Sequence, residues 1–355
     1  MKVWLDILTP KQANFLGELH RRLNAKGFET VLTTREYREV NELLELKSIE
    51  AVIVGRHGGG HVKDKLIESS KRITALTRIV DEEKPDCAIS FSSPEAARVA
   101  FGLKIPHYCI SDSPHAEAVC RLTIPLSQKL FTPWVIPLYV WKRYTANTRD
   151  IIRYHALDPI VWVSRNPKDS TPPKSLGLDL SKPIVVVRTP EEFAAYLSDG
   201  PSAVPDAGSE IVSKLLDLAE DDFKLVVLPR YENQVETFKK RFGNRIIVSE
   251  RVIDAVPLIR AAAVFIGGGG TMTAEAALLG TPAISYFPGE PTFVDRFLVS
   301  YGLVERVREP GRVAQRALAI SRSRDFREFY RKKSLRLVES MEDPLKVVVK
   351  RVFRE

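Results

Sequence analysis

Between Ala263 and Gly289 the chain reads AVFIGGGGTMTAEAALLGTPAISYFPG, and no other stretch restricts its fold so closely. A short apolar run, Ala263 to Ile266, enters Gly267, Gly268, Gly269 and Gly270. A charge-poor helical segment, Thr271 to Leu279, follows, and Gly280 and Pro282 open a second apolar run. This order predicts strand, tight loop, helix, strand. Successive glycines lack β-carbons and let backbone N–H groups come close to a guest, while the helix behind them offers unpaired N–H groups and the positive end of its dipole. An anion, most simply a phosphate, suits that loop; a turn shaped only by packing would use the same glycines. The stretch is not a Walker loop, because no Gly-Lys-Ser/Thr follows, nor is it G-x-G-x-x-G behind the first strand of a chain. Glu275 is the sole charge between Arg260 and Glu290. Burying it alone would be costly, so it calls for a partner. Sugar hydroxyls would serve, since a carboxylate can accept two from one ribose; the alternative is the dipole at the start of its own helix.

The same alternation runs through both halves of the chain. Lys2 to Ile7 reads as a first strand, then an amphipathic helix with Phe15, Leu16, Leu19 and Leu23 on one face ends at Gly27. Strands are expected at Glu29 to Thr33, Ala51 to Val54, Asp86 to Phe91 and Ile105 to Ile110, with Ser93 as an N-cap between the last two. From Ser164 to Pro183 the composition turns to Pro, Lys, Ser and Asp, a linker signature that puts a boundary near residue 175. Strands then resume at Ile184 to Val187, Lys224 to Leu228 and Ile246 to Val248, separated by helical stretches, ahead of the glycine-rich unit. Length alone favours two cores over one. The pattern predicts an α/β chain of two Rossmann-like, doubly wound parallel-sheet domains, residues 1–174 and 175–340, facing a cleft. In such sheets ligands collect at the carboxyl ends of strands.

That rule selects the loops to read. The first is Asp6-Ile7-Leu8-Thr9-Pro10-Lys11-Gln12, where Thr9 or Pro10 can open a helix. His57 and His61 flank three glycines, which forbid the helix that their spacing would need to bind zinc; a loop near ligand or a plain turn remains. Asp112, His115, Glu117 and Arg121 lie within ten residues behind the run ending at Ile110. They offer a general base, a proton carrier and an anion partner, and a hydrophilic turn would also look this way. Arg188 and Arg230 each follow a strand, where a guanidinium can contact phosphate in bidentate fashion or make a surface ion pair. Residues Trp134 to Trp162 are rich in aromatics and poorly periodic, suiting sugar faces or a domain rim.

Composition excludes several classes. No apolar run approaches membrane-spanning length and Met1 opens a strand rather than a signal segment, so a cytoplasmic location is expected. Three cysteines without C-x-x-C spacing argue against a disulfide framework and a zinc site. Net charge is +8, and residues 306–355 carry 15 Lys/Arg against 7 Asp/Glu, which accounts for all of it. These charges alternate with Leu, Val and Phe at helical spacing. Solvated helix faces are therefore favoured over a nucleic-acid or anionic-membrane patch.

At G-G-T-M-T-A-E-A-A-L-L-G-T-P the chain resembles the donor-site signature of GT-B glycosyltransferases and of the UDP-N-acetylglucosamine 2-epimerases that share their fold. Nearly the whole chain is also similar to an uncharacterised, mainly archaeal family of GT-B-like proteins known only as a domain of unknown function. The resemblance implies that Glu275 binds the nucleotide ribose, that Gly268, Gly269, Gly270 and Thr271 face the diphosphate, and that Asp295 holds the donor sugar. It further implies that Lys11 and Gln12 face the cleft and touch acceptor or donor, and that a final helix within residues 341–355 crosses back to the first domain; His57 and Arg121 join Lys11 and Gln12 as candidates for an acceptor or cleft loop. Arg121-Leu122-Thr123 and Phe131-Thr132-Pro133 are loosely similar to epimerase segments, but the epimerase's fuller carboxylate set and its His-Arg-Arg-Glu motif have no matching form. The expected activity is thus metal-independent glycosyl transfer from a nucleotide-diphosphate sugar, a UDP sugar foremost, with no cofactor. Asp112, His115 and Glu117 would be the catalytic set, and a glycan or lipid-linked sugar the acceptor. The alternatives are a 2-epimerase and a non-catalytic protein binding nucleotide sugar, RNA or an anionic surface.

Overall fold

Branched apolar runs such as Ile184-Val185-Val186-Val187 are buried on both faces, as strands sandwiched between helices must be. The computed structural model describes residues 1–145, 147–165, 171–190, 207–219 and 222–353, and within them thirteen strands form two sheets. The first sheet holds β1 (Lys2–Ile7), β2 (Glu29–Glu36), β3 (Val52–Arg56), β4 (Cys87–Ser90), β5 (His107–Ile110), β6 (Lys129–Pro133) and β7 (Ile151–Tyr154) in the order β3-β2-β1-β4-β5-β6-β7. The second holds β8 (Ile184–Arg188), β9 (Lys224–Leu228), β10 (Ile247–Val248), β11 (Val264–Gly267), β12 (Ala283–Ser285) and β13 (Val304–Arg306) in the order β10-β9-β8-β11-β12-β13. Every pairing is parallel. In each sheet the order reverses once, between β1 and β4 and between β8 and β11. A crevice opens at the carboxyl side of such a reversal, because the connections leave to opposite faces.

The chain divides into two compact units, residues 1–162 with 342–353, and the described residues from 163 to 341. Pro167 and its neighbours, part of the stretch expected to link the domains, lie outside the described residues. The first unit packs Trp4, Val54, Leu76, Val80 and Ala100 between its sheet and its helices. Asp6 also lies inside, taking both terminal nitrogens of Arg72 (2.6 and 3.0 Å) and the hydroxyls of Thr33 and Ser93 (2.6 Å each). The second unit buries Val185, Val187, Leu215, Ile266, Val313 and Ala317. The last helix, Pro344–Phe353, belongs to the first unit: Asp343 pairs with Arg22 at 2.7 Å, and the Phe353 ring lies 4.6 Å from that of Phe28.

Candidate functional site

In the second unit the parallel register puts Gly267 of β11 beside Arg188 of β8, and Arg188 beside Leu228 of β9, so three strands end level at the reversal. The glycine loop is built in layers. A β-carbon on Gly267 would meet the Thr273 hydroxyl at 2.6 Å, and one on Gly268 would meet the Pro190 backbone at 2.7 Å. Gly269 and Gly270 instead have φ of +92° and +86°, where a side chain is strained. Gly270 is exposed with nothing within 4 Å of its added β-carbon, and it caps the helix Thr271–Leu279. The amides of Thr271 and Met272 begin that helix and so have no partner within it. Glu275 is buried one turn on.

Arg188 lies across the ends of the strands, its Nη1 donating to the carbonyls of Pro229 (2.8 Å) and Leu228 (3.3 Å). The Gln234 side-chain carbonyl takes the Arg230 amide at 2.8 Å and the Thr189 hydroxyl at 2.6 Å, which fixes the loops after β8 and β9 together. Tyr286 donates its hydroxyl to the Arg188 carbonyl at 2.9 Å. Burial pushes that phenol up, and the charges of Arg188 and Arg230 both act against the rise. Both half-buried guanidinium groups thus lie within electrostatic reach of one hydroxyl at the sheet's carboxyl edge. Two guanidinium groups, a loop of glycine amides and a helix start are the donors and positive charge that anion binding requires. Asp295 sits elsewhere in its element's logic: it completes a capping box with Thr292 at the head of the helix Phe293–Ser300, accepting from the Thr292 hydroxyl at 2.8 Å and amide at 3.1 Å.

In the first unit, Thr9 caps and Pro10 opens the helix Pro10–Ala25, which carries Lys11 out at the carboxyl edge. The Lys11 ammonium bonds Asp112 and lies 2.6 Å from Asp158, above the Phe91 ring at 4.5 Å. Asp158 also takes a short hydrogen bond from the Tyr154 hydroxyl, and Asp112 takes one from Ser113 at 2.8 Å. Burial drives Lys11 down, but the two carboxylates outweigh it and the ammonium stays above its ordinary value. Burial drives Asp112 up, and Lys11 with Ser113 brings it below the usual range. Asp158 ends above its usual value, because burial and the Asp112 charge exceed the pull of Lys11.

Of the other expected residues, Gln12 is buried and spends its amide on backbone, taking the Leu8 amide at 2.5 Å and donating to the Phe91 carbonyl at 2.8 Å. His115 is exposed beside Asp112, on which its charge acts. Glu117 and Arg121 are exposed and paired with each other at 2.8 Å. His57 stacks on Tyr37, ring centroids 5.3 Å apart, behind the edge strand β3. Among the described residues no three His, Cys, Asp or Glu side chains gather as a metal would require, and no helix is long and apolar enough to cross a membrane. Sequence reading passes over Asp158 and Tyr286, and takes Tyr154 only as one of the aromatics between Trp134 and Trp162. Asp158 carried a signal like that of Glu275: it is a lone acid in the apolar run Ala156-Leu157-Asp158-Pro159-Ile160-Val161.

The chain matches, across residues 1–355, the model of a family described as "Protein of unknown function (DUF354)". An uncharacterised protein of Methanocaldococcus jannaschii is 31% identical over 304 residues, covering 84% of this chain and 85% of that one. Among solved structures, the UDP-GlcNAc 2-epimerase of Neisseria meningitidis bound to UDP-GlcNAc superposes with a TM-score of 0.73 at 18% identity, covering all of both chains. The spinosyn forosaminyltransferase SpnP superposes with a TM-score of 0.65 at 14% identity, again over all of both. At these identities the likeness establishes a shared GT-B fold.

Proposed function

We propose that this chain, which belongs to the DUF354 family of proteins of unknown function, is a nucleotide-sugar enzyme that transfers a glycosyl group from a UDP sugar without a metal. The observation that carries the reading is the placement of Arg188 at the end of β8 and Arg230 in the loop after β9, beside the Gly268–Thr271 turn, at the reversal of the second sheet. A diphosphate seated there would receive guanidinium and amide donors, and its affinity for them grows as negative charge builds on the leaving group. Glu275 would hold the ribose hydroxyls. On the first sheet, Asp112 would take the proton of an acceptor hydroxyl with His115 as proton carrier; the acceptor oxygen bonds the anomeric carbon as the bond to the diphosphate breaks, and UDP leaves. UDP binding by calorimetry and UDP release with a panel of sugars and glycan or lipid-linked acceptors tests this. Each charge-assisted contact contributes about 1.5–3 kcal/mol, so Arg188→Ala should weaken UDP binding roughly tenfold to a hundredfold. No saturable UDP or UDP-sugar binding by the wild type ends the proposal.

One observation favours a second reading, a 2-epimerase acting on UDP-GlcNAc without an acceptor. The epimerase of Neisseria meningitidis superposes on all of this chain with a TM-score of 0.73, against 0.65 for the forosaminyltransferase. Proton NMR of UDP-GlcNAc with enzyme alone separates the two, because only an epimerase makes a new sugar there.

A further inference from the structure

We propose that Asp158 is a positioning residue: it anchors Lys11 so that the ammonium lies on Asp112 and keeps that carboxylate ready as a base. The inference rests on the reading of Asp112 as the base in the proposed transfer. Three elements far apart in sequence meet at one ammonium: Lys11 from the helix after β1, Asp112 from the loop after β5, and Asp158 from the turn after β7. Their exposures differ sharply. The Asp112 side chain is 20% exposed and that of Asp158 is 1% exposed. A substrate arriving from solvent can meet Asp112, whereas Asp158 is sealed beneath it and can act only through Lys11. Asp158 is held in turn by the Tyr154 hydroxyl, from the last residue of β7. Phe91, after β4, closes the remaining side of the ammonium with its ring face. The titratable groups facing the cluster are thus Lys11, Asp112, Asp158 and Tyr154, with His115 acting on Asp112 from the rim.

A lysine is a flexible point charge with three donors, and one carboxylate does not fix where it sits. Two carboxylates on different elements do. Without the second, the ammonium is free to swing toward solvent, and Asp112 loses the neighbour that holds it ionised. This gives an outcome with a distinctive sign. Deleting a nearby negative charge would by itself lower the pKa of Asp112, whereas losing the alignment of Lys11 raises it.

The experiment is a carbon-13 carboxyl titration of Asp112 in the whole chain, for wild type, Asp158→Asn and Asp158→Glu. The expected result is that Asp112 titrates below the ordinary carboxylate value in wild type, rises by about one pH unit or more in Asp158→Asn, and returns in Asp158→Glu. The acid limb of the UDP-release profile should move up with it. An unmoved or lower Asp112 in Asp158→Asn overturns the proposal, as does a rise that leaves the acid limb of an active enzyme in place. Should Asp158→Asn not fold, Tyr154→Phe takes its place: it strips the donor that favours ionised Asp158, and a smaller rise of Asp112 is expected, no rise being fatal. A wild type that releases no UDP removes the glycosyl-transfer reading, while the carboxyl titration still decides whether Asp158 positions Lys11.

Discussion

Removing the carboxylate of Asp6 would leave the Arg72 guanidinium, whose side chain is 1% exposed, with only the more distant Glu95 carboxylate at 3.9 Å. Breaking one side of a buried ion pair costs about 3–5 kcal/mol, so Asp6→Ala should lose that much in urea unfolding. Exchanging both residues for apolar ones of similar volume should cost less. The same residue gives acid sensitivity. Burial pushes Asp6 up, but Arg72, Ser93 and Thr33 bring it below its ordinary value, so the unfolded chain binds the proton more tightly. Its contribution is complete above the unfolded value and is lost as pH falls through the folded one. His107, buried between the Ser90 and Ser127 hydroxyls at 2.9 and 2.8 Å, is pushed down from 6.5 to about 4 by burial. Its sign is the same: the unfolded chain takes the proton first, and stability declines from about 6.5 toward about 4. His107→Gln should flatten that window in denaturation measured at stepped pH, at some cost at neutrality. Neither residue was legible as a buried group in the sequence, because one aspartate in a strand looks the same whether it faces solvent or a distant arginine.

At the scale of elements, the glycine unit was legible because its order of residue types admits so few backbones. What the letters withheld is the division of labour among the glycines. Gly268 is set by space, against the Pro190 backbone, and Gly269 by its left-handed φ, where an added β-carbon would also meet Phe287 at 3.0 Å. Gly269→Ala should cost about 1–2 kcal/mol in stability and weaken UDP binding as well, whereas a loop that serves packing alone would show the first loss without the second. Asp295 poses the converse case. As the N3 partner of its capping box, Asp295→Ala should lose about 0.3–1.5 kcal/mol, and a thermal shift with UDP sugar tells whether it also touches donor, since a ligand contact would lower affinity beyond the cap's effect. The basic C-terminal helices Pro310–Arg322 and Arg324–Glu339 display pairs such as Arg316 with Glu305 at 2.7 Å and Arg322 with Asp222 at 2.6 Å. Charges read as an excess in a linear count are thus partly spent on acids elsewhere in the same unit. Strands β6, β7 and β13 escaped the periodicity for a related reason: β7 and β13 are short edge strands, and β6 ends in Thr132-Pro133, where turn-type residues hide a strand.

For the whole molecule, two doubly wound parallel sheets were legible from alternation alone, since parallel strands must be joined through helices, while their strand order came only with the structure. The cluster of Lys11, Asp112 and Asp158 was not, because its members meet only when β1, β5 and β7 end on the same edge. The last helix is the longest-range feature of all, joining the final residues to the first unit. It buries Leu345, Val348, Val349 and Val352 there, with relative exposures of 1%, 0%, 3% and 8%. Each such side chain contributes roughly 1.5–3 kcal/mol, so deletion of residues 342–355 should weaken the first unit by several times that amount. The tryptophans make the effect separable: Trp4, Trp134, Trp141 and Trp162 all lie within residues 1–162. Tryptophan fluorescence in urea therefore follows the first unit, while far-ultraviolet dichroism follows both. The deletion should move the fluorescence midpoint to lower urea and split it from a later dichroism transition, the second unit keeping its own core of Val185, Val187 and Ile266. If both signals moved together by the same amount, the helix would be supporting the two units as one cooperative body, and the assignment of its energy to the first unit would be wrong.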